Sequence, residues 1–186
     1  MMCNDNLKQF YYEGLDFIDF TIINSEDKHS EILAIRNNDS IRKYMYNDKI
    51  ITLEEHIQFV NSLKKDNTKR YWAAYEYSTF VGSINLTEID WVNKRAKLGI
   101  YTNQSIKGVG VKLLNTLKWI AFEKFSLNCL RLEVLANNIK AISFYEKNQF
   151  KLEGVLREYV LQNESYLDSK IYSILRKEYY ENNHGN

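Results

Sequence analysis

The sequence contains no proline and only seven glycines among its 186 residues. Without proline, helix ends must be set by capping side chains, by glycine or by asparagine. Its two cysteines, Cys3 and Cys129, are too few for a disulfide framework, and we interpret Cys129 as a small buried hydrophobe. No apolar run approaches the ~20 residues that span a bilayer, and residues 1–9 lack the apolar core of a signal peptide. We therefore expect a cytoplasmic protein that does not act at a membrane.

The chain also has no marked excess of positive or negative charge. The chain has 25 Lys and Arg residues against 24 Asp and Glu residues, which argues against a nucleic-acid-binding protein with a concentrated basic face. The three histidines, His29, His56 and His184, show no metal-ligand spacing, so no metal is predicted. Hydrophobic residues make up 45% of the chain, which excludes general disorder. The length favours a single domain over residues 1–186, with a core at about 15–176 and a polar, frayed tail after Tyr180.

Hydrophobic periodicity predicts helices and strands in alternation. Helices are expected at 26–37, 53–64, 111–125 and after Asn138, and strands at 15–23, 70–76, 80–88, 98–101, 130–134, 152–161 and 166–175. Thr52 and Glu55 form the sequence signature of a capping box before the second helix. Residues 39–49 fit either a short helix or an irregular loop. The order predicts an α/β (α+β) fold with a mixed central sheet and helices on both faces.

The stretch from Lys97 to Phe125 predicts a strand, a glycine turn and an amphipathic helix. Gly108 and Gly110 stand where the helix begins, so its first N–H groups are open to an anion such as phosphate or pyrophosphate. Leu113 replaces the third glycine of a dinucleotide fingerprint, and the P-loop pattern is absent. An ordinary glycine turn is the alternative.

Residues from Leu130 to Phe150 add a more specific pattern. Together the two segments, L-G-I-Y…K-G-V-G and L-E-V-x-x-x-N-x-x-A-I-x-F-Y-E-K-x-x-F, resemble the GCN5-related N-acetyltransferase (GNAT) family over most of residues 70–175. That resemblance implies acetyl-coenzyme A as co-substrate and two splayed strands that admit its pantetheine arm. The family often has Gln or Arg where this chain has Ser105. The implied cofactor-binding residues are Leu98, Gly99, Ile100, Ser105, Ile106, Lys107, Gly108, Val109, Gly110, Val111, Asn138, Tyr145 and Lys147.

The resemblance also implies direct attack of an amine on the thioester. Tyr145 would then protonate the leaving sulfur, and Glu133 would act as base, directly or through water. Main-chain N–H groups around residues 100–102 would polarise the thioester carbonyl. Two structural alternatives stay open: Tyr145 fills the core, and Glu133 faces solvent through strand alternation.

Blocks in the N-terminal third give a closer resemblance. Arg36-Asn37, Met45-Tyr46 and the H-x-x-F pair His56 and Phe59, with W-I-A-F-E-K-F further along, resemble the nucleotide-sugar N-acetyltransferases of pseudaminic acid biosynthesis. This implies a UDP-4-amino-4,6-dideoxy-altrosamine acceptor and a UDP-2,4-diacetamido-2,4,6-trideoxy product for flagellin and surface glycosylation. The implied substrate-binding residues are Arg36, Met45, Tyr46, His56, Phe59 and Tyr101.

Two of these residues, Arg36 and His56, also have a purely structural explanation. Arg36 can pair with a diphosphate, but a cation near a helix C-terminus is also common. His56 is expected to be packed or hydrogen-bonded rather than catalytic. A protein or ribosomal N-terminal acetyltransferase, or a non-catalytic acyl-coenzyme A binding module, would share the fold, and a homodimer is left open.

Overall fold

The computed structural model describes residues 7–184 of the chain, with side chains described through residue 181; Cys3 lies outside this range. An eight-stranded sheet in the order β1-β2-β3-β4-β5-β6-β8-β7 runs through the described residues. The strands are β1 (Gln9–Tyr12), β2 (Leu15–Asp19), β3 (Arg70–Glu76), β4 (Thr79–Asp90), β5 (Arg95–Thr102), β6 (Cys129–Leu135), β7 (Lys151–Gln162) and β8 (Ser165–Leu175). The sheet is mixed, because β5 and β6 pair in parallel whereas their other neighbours are antiparallel.

Capping side chains set the starts of several helices, as expected for a chain without proline. The helices are α1 (Glu26–Arg36), α2 (Asp39–Arg42), α3 (Leu53–Leu63), α4 (Val109–Trp119), α5 (Ile139–Lys147) and α6 (Arg176–His184). Thr52 and Glu55 form the predicted capping box before α3, and the Asn138 carboxamide accepts from the first turn of α5. None of the helices within residues 7–184 is long and apolar enough to cross a bilayer.

The two faces of the sheet carry separate cores. Trp72 and Ala74 of β3 pack with Leu113 and Leu117 of α4 on one face. Ala73, which points the opposite way by strand alternation, packs with residues of α1 and α3 on the other face. The helices on both faces confirm the predicted fold class. Helix α4 covers one face of the sheet, and α1 and α3 cover the other.

The centre of the sheet splits where β5 meets β6. These strands pair only from Arg95 to Lys97 on β5 and from Cys129 to Arg131 on β6. Beyond that point β5 stays with β4 up to Thr102, and β6 stays with β8 up to Leu135. The two strands therefore diverge, and the splayed pair expected from the sequence is present.

Several predicted boundaries were wrong. The strand expected at 15–23 ends at Asp19, whose carboxylate accepts from the Thr21 N–H at 2.8 Å and starts a 3₁₀ turn over Phe20–Ile22. Strand β1 was missed because four partly exposed residues give too short a pattern. The helix expected at 111–125 begins two residues earlier and ends in a π turn, with Phe125 N–H bonded to Ile120 O at 2.9 Å. The tail expected to fray after Tyr180 is helical through His184.

Candidate active site

The turn that opens α4 leaves backbone donors free. Gly108 is the N-cap residue with φ of 85°, a left-handed conformation that glycine adopts without the cost of a Cβ atom. No side chain within residues 7–181 caps this helix start, so its first N–H groups have no side-chain acceptor there. Gly110 lies beside the Phe144 ring, where an added Cβ would sit 3.6 Å from ring atoms. The left-handed conformation of Gly108 thus starts α4 without a side-chain cap a few residues after the end of β5.

The other predicted cofactor residues lie around this turn in varied settings. Ser105 is exposed, and its N–H donates to Asn103 Oδ1 at 3.1 Å. Leu98 is buried, whereas Gly99 and Ile100 on the diverging strand are partly exposed. The Asn138 carboxamide oxygen already accepts from Ala141 N–H at 3.2 Å. Four more of these residues lie at or near the turn, and the fifth ends α5: Ile106, Lys107, Val109, Val111 and Lys147.

Tyr145 lies on the buried face of α5. Its ring packs edge-on against Phe144 at 5.3 Å and Phe150 at 5.6 Å between centroids. Burial raises the pKa of Tyr145, so the phenol keeps its proton at neutral pH. Among the described residues, no side chain or carbonyl forms a hydrogen bond with its hydroxyl. A protonated phenol with a free donor is chemically able to serve as an acid.

Glu133 sits on β6 inside a charged network. Its side chain is only 8% exposed, and its carboxylate lies 2.9 Å from Lys97 Nζ and 3.4 Å from an Arg131 guanidinium nitrogen. The Tyr46 hydroxyl donates to the same carboxylate at 2.8 Å. Burial alone would raise the pKa of Glu133, but the hydrogen bonds from Lys97 and Tyr46, with the charges of Lys97 and Arg131, together hold it below its usual value. Glu133 is therefore an ionised carboxylate at neutral pH.

Tyr46 reaches this network from the segment after α2. Its hydroxyl also contacts the buried Ser169 Oγ on β8, and the carbonyl of Met45 accepts from Gln162 Nε2 at 2.8 Å. Residues 43–48 are thereby tied to the β6-β8-β7 side of the sheet. The sequence did not identify Ser169 or Gln162, because a polar residue in an alternating strand gives no sign of a partner more than 100 residues away.

Two arginines hold the same segment from the other side. Arg36 donates to the carbonyl of Asn47 at 2.9 Å, and Arg42 donates to the carbonyl of Asp48. Arg36 NH1 and Arg42 Nε are buried, and neither has a hydrogen-bond partner among the described residues. Burial lowers the pKa of Arg36; the nearby Tyr101 opposes that shift and Arg42 adds to it. Arg42 was missed by the sequence analysis.

The remaining predicted acceptor residues divide into two groups. Phe59 packs edge-on against Tyr71 at 5.0 Å, and Tyr101 lies near Arg36 and Phe80. His56 instead pairs with His29, Nε2 to Nδ1 at 3.1 Å, and is only 7% exposed. The structure thus brings Tyr101 toward Arg36 and Met45-Tyr46 toward Glu133, while His56 faces the core between α1 and α3.

Two other chemistries receive no support from this geometry. Burial raises the pKa of the Cys129 thiol, which makes it a poor nucleophile at neutral pH. No group of three or more His, Cys, Asp or Glu side chains that could hold a metal ion occurs in the part of the chain that the structure describes.

Comparisons with known proteins agree with this architecture. Residues 27–150 match the model of the acetyltransferase (GNAT) family. Acetyltransferase PseH of Campylobacter jejuni is 32% identical over 133 residues, which cover 72% of this chain and 82% of the relative.

Two solved structures share the fold. A Vibrio cholerae spermidine N-acetyltransferase in complex with CoA and spermine superposes with a TM-score of 0.80 at 25% identity, covering 89% of this chain and 98% of that one. Campylobacter jejuni N-acetyltransferase PseH superposes with a TM-score of 0.66 at 25% identity, covering 87% and 98%. Because the family model and the PseH relative both match most of the chain, this protein belongs to the GNAT family of acetyltransferases.

Proposed function

We propose that this acetyltransferase moves the acetyl group of acetyl-coenzyme A to the 4-amino group of a UDP-4-amino-4,6-dideoxy-altrosamine sugar. The product would be the UDP-2,4-diacetamido-2,4,6-trideoxy sugar of pseudaminic acid biosynthesis. One observation carries the choice of acceptor: the buried nitrogens of Arg36 and Arg42 that have no partner among the described residues. The resemblance of the N-terminal blocks to nucleotide-sugar enzymes supports the same choice.

Two buried, unpartnered guanidinium nitrogens favour an anionic ligand. A buried donor without a partner costs about 1–3 kcal/mol, which a phosphate oxygen recovers through a charge-assisted hydrogen bond. Arg36 and Arg42 bind the carbonyls of adjacent residues, Asn47 and Asp48, so a diphosphate at this segment could contact both guanidinium groups. Arg42 is also paired with the exposed Asp39 carboxylate, whereas Arg36 has no ion pair with the described residues, so a polyamine such as the spermine in the Vibrio cholerae complex would meet a net positive charge here.

The surroundings fit the rest of a nucleotide sugar. Phe59 and Tyr101 are partly exposed aromatic side chains that offer a ring face or edge to uracil or to a methyl-bearing sugar. Met45 and Tyr46 reach from the same arginine-bound segment toward Glu133. In this proposal Arg36 would hold the anionic end of the acceptor, and Met45 and Tyr46 would lie nearer the reacting end beside Glu133, whereas His56 would make no contact with the acceptor.

The cofactor fits the diverging strands and the α4 start. The N–H groups after Gly108 can bind a pyrophosphate, and the gap between β5 and β6 can take an extended arm. Acetyl-coenzyme A supplies the acetyl group as a thioester. The exposed backbone beyond Lys97 on β5 can donate to the thioester oxygen, and the Tyr145 phenol can give its proton to the leaving sulfur.

The Glu133 carboxylate has little room left to accept a proton from the substrate. A carboxylate has about four acceptor positions, and Lys97 and Tyr46 both contact Oε2 of Glu133, at 2.9 and 2.8 Å. Arg131 is only an ion-pair neighbour of Oε1, at 3.4 Å, so Oε1 can still accept from a water molecule or from the amine itself. Because its pKa is lowered, Glu133 is ionised at neutral pH. Its negative charge offsets the positive charges of Lys97 and Arg131, and its carboxylate accepts from the Tyr46 hydroxyl and so orients it.

Steady-state kinetics with an acceptor panel test this proposal. We expect turnover with the UDP-amino sugar and at least about tenfold lower kcat/KM with spermidine or ribosomal N-terminal peptides. Arg36→Gln and Arg42→Gln should each raise the KM for the UDP-sugar about tenfold or more, with little change in the KM for acetyl-coenzyme A. Arg157→Gln, on exposed β7, is the matched control and should change neither.

Two results would overturn the acceptor assignment. One is a higher kcat/KM for spermidine or a peptide than for the UDP-sugar. The other is an equal loss toward both substrates in the Arg36 and Arg42 variants, while thermal unfolding shows that they remain folded.

A further inference from the structure

A second concave site lies at the other end of the sheet. A cavity of about 520 Å³ is lined by residues that include Leu7, Arg70, Trp91 and Phe125. Trp91 and Lys94 lie in the turn just before β5, whereas the gap between β5 and β6 opens toward Thr102 at the other end of that strand. None of the lining residues lies on β6, within residues 98–111 or within residues 36–59, which hold most of the proposed cofactor and acceptor contacts. The cavity is thus distinct from the candidate active site.

This cavity concentrates positive charge. Seven Lys or Arg side chains and only two Asp side chains line it, although the whole chain is nearly neutral. Both acids are already paired: Asp19 with Lys8 at 3.3 Å, and Asp66 with Lys69 at 3.0 Å. Lys65 and Lys94 form no ion pair with any of the described residues. The site therefore presents uncompensated positive charge.

Helix ends explain only part of that charge. Lys64 and Lys65 follow the C-terminus of α3, and Lys124 ends the π turn after α4, where cations commonly sit. Lys8 and Lys94, however, come from the segment before β1 and from the β4–β5 turn. Segments far apart in sequence thus bring cations to one cavity, which a helix-end preference does not require.

The wall of the cavity carries an ordered aromatic pair. Trp91 and Phe125 pack edge-on with centroids 5.3 Å apart, and both are partly exposed. Trp91 Nε1 donates to the Asn67 carbonyl at 3.0 Å, which fixes the indole orientation. A fixed indole beside several lysines can stack on a flat ring while the cations bind phosphate.

We propose that this cavity binds a nucleoside polyphosphate at a site separate from the acetyl-transfer site. The lysines, with Lys65 and Lys94 unpaired, bind the phosphates, and Trp91 stacks on the base. The inference does not depend on the identity of the acetyl acceptor, because no residue in the cavity is shared with the proposed acceptor or cofactor contacts.

Titration with ATP tests this site in the intact protein. Saturating CoA and UDP are present throughout, so that they fill the active site and ATP cannot bind there. We expect one ATP per chain by calorimetry, with quenching of tryptophan fluorescence. Inorganic triphosphate should bind about fivefold or more weakly than ATP, because it lacks the stacking base.

Three variants separate the contributions. Lys65→Glu combined with Lys94→Glu should weaken ATP binding at least about tenfold. The matched control Lys177→Glu, an exposed lysine on α6, should change it less than about twofold. Trp91→Leu should weaken ATP binding to the level of triphosphate, while triphosphate binding stays unchanged.

Clear results would overturn the proposal. These are no ATP binding at millimolar concentration, or equal weakening by the cavity and control lysine variants, which would indicate non-specific attraction. Equal affinity for ATP and triphosphate would remove the base-stacking role of Trp91. Unchanged acetyltransferase kinetics and thermal unfolding of Lys65→Glu/Lys94→Glu show that lost binding is not lost folding.

Discussion

The buried histidine pair makes stability depend on pH in a defined window. His29 Nε2 lies 3.0 Å from the Ile23 carbonyl, which can only accept, so this nitrogen carries the proton. His29 Nδ1 is then the acceptor, and His56 Nε2 donates to it across 3.1 Å. The two side chains are buried, at 4% and 7% exposed.

The size of the effect follows from the pKa of His56. Burial, with a smaller contribution from His29, lowers that pKa from 6.5 to about 4. A base whose folded-state pKa is depressed gives its full stability above the unfolded pKa and loses it as the pH falls toward the folded value. Between pH 7.5 and 5 the folded protein should therefore lose about 2 kcal/mol of unfolding free energy. The carboxylates with lowered pKa values, such as Glu133 and Glu178, titrate below this window.

Urea unfolding at pH 7.5 and pH 5 measures the loss. His56→Gln can keep an N–H donor toward His29 but does not titrate, so the difference between the two pH values should shrink to less than about half. A wild-type protein equally stable at both pH values, or a His56→Gln variant with the full difference, would refute the reasoning. The variant should also leave the KM for the acceptor nearly unchanged, since His56 faces the core.

Three further predictions concern the proposed site. Gly108→Ala should lower the free energy of unfolding by about 1 kcal/mol in thermal unfolding and raise the KM for acetyl-coenzyme A. Gly154→Ala, where an added Cβ also has open space but φ is not positive, should do neither. Equal effects of the two substitutions would contradict the argument from the strained turn. Glu133→Gln should destabilise the fold by about 1–3 kcal/mol in urea unfolding and lower kcat. Glu88 is 59% exposed, so Glu88→Gln should cost under about 1 kcal/mol. Equal losses in the two variants would contradict the argument from the burial of Glu133. Tyr145→Phe should lower kcat about 10²-fold with acetyl-coenzyme A binding intact, and an unchanged kcat would exclude it as the acid.

Local signals account for most of the fold that the sequence predicted. Periodic apolar stripes placed α3 and α4, because such a stripe reports a face that must be buried. Alternation placed β8 and also the edge strand β7, although Leu152, Val155 and Leu161 of β7 are exposed. The errors fall where a single contact overrides the pattern. Asp19 ends β2 by capping a 3₁₀ turn, although the apolar run continues to Ile23. Short β1 depends on pairing with β2, which a four-residue pattern cannot reveal.

Residue types in the candidate site were easier to predict than their partners. Glu133 and Tyr145 could be singled out by position in a family pattern, but a family pattern carries no information about Lys97, which closes the ion pair. Arg42 was missed because its role depends on a loop that folds back to meet it. Contacts of this kind join distant parts of the chain, so they follow from topology rather than from local sequence.

The arginine-bound segment links acceptor binding to the catalytic network. Arg36 and Arg42 hold the carbonyls of residues 47 and 48, and Tyr46, one residue earlier, donates to Glu133. An anion drawn to the free guanidinium nitrogens would bear on the same few residues that orient this hydroxyl. Loss of either arginine should therefore affect turnover as well as acceptor affinity, and the effect on kcat should disappear in a Tyr46→Phe background if the link runs through that hydrogen bond. Additive losses of kcat in the double variants would show instead that the arginines affect turnover by a route independent of the Tyr46 hydroxyl.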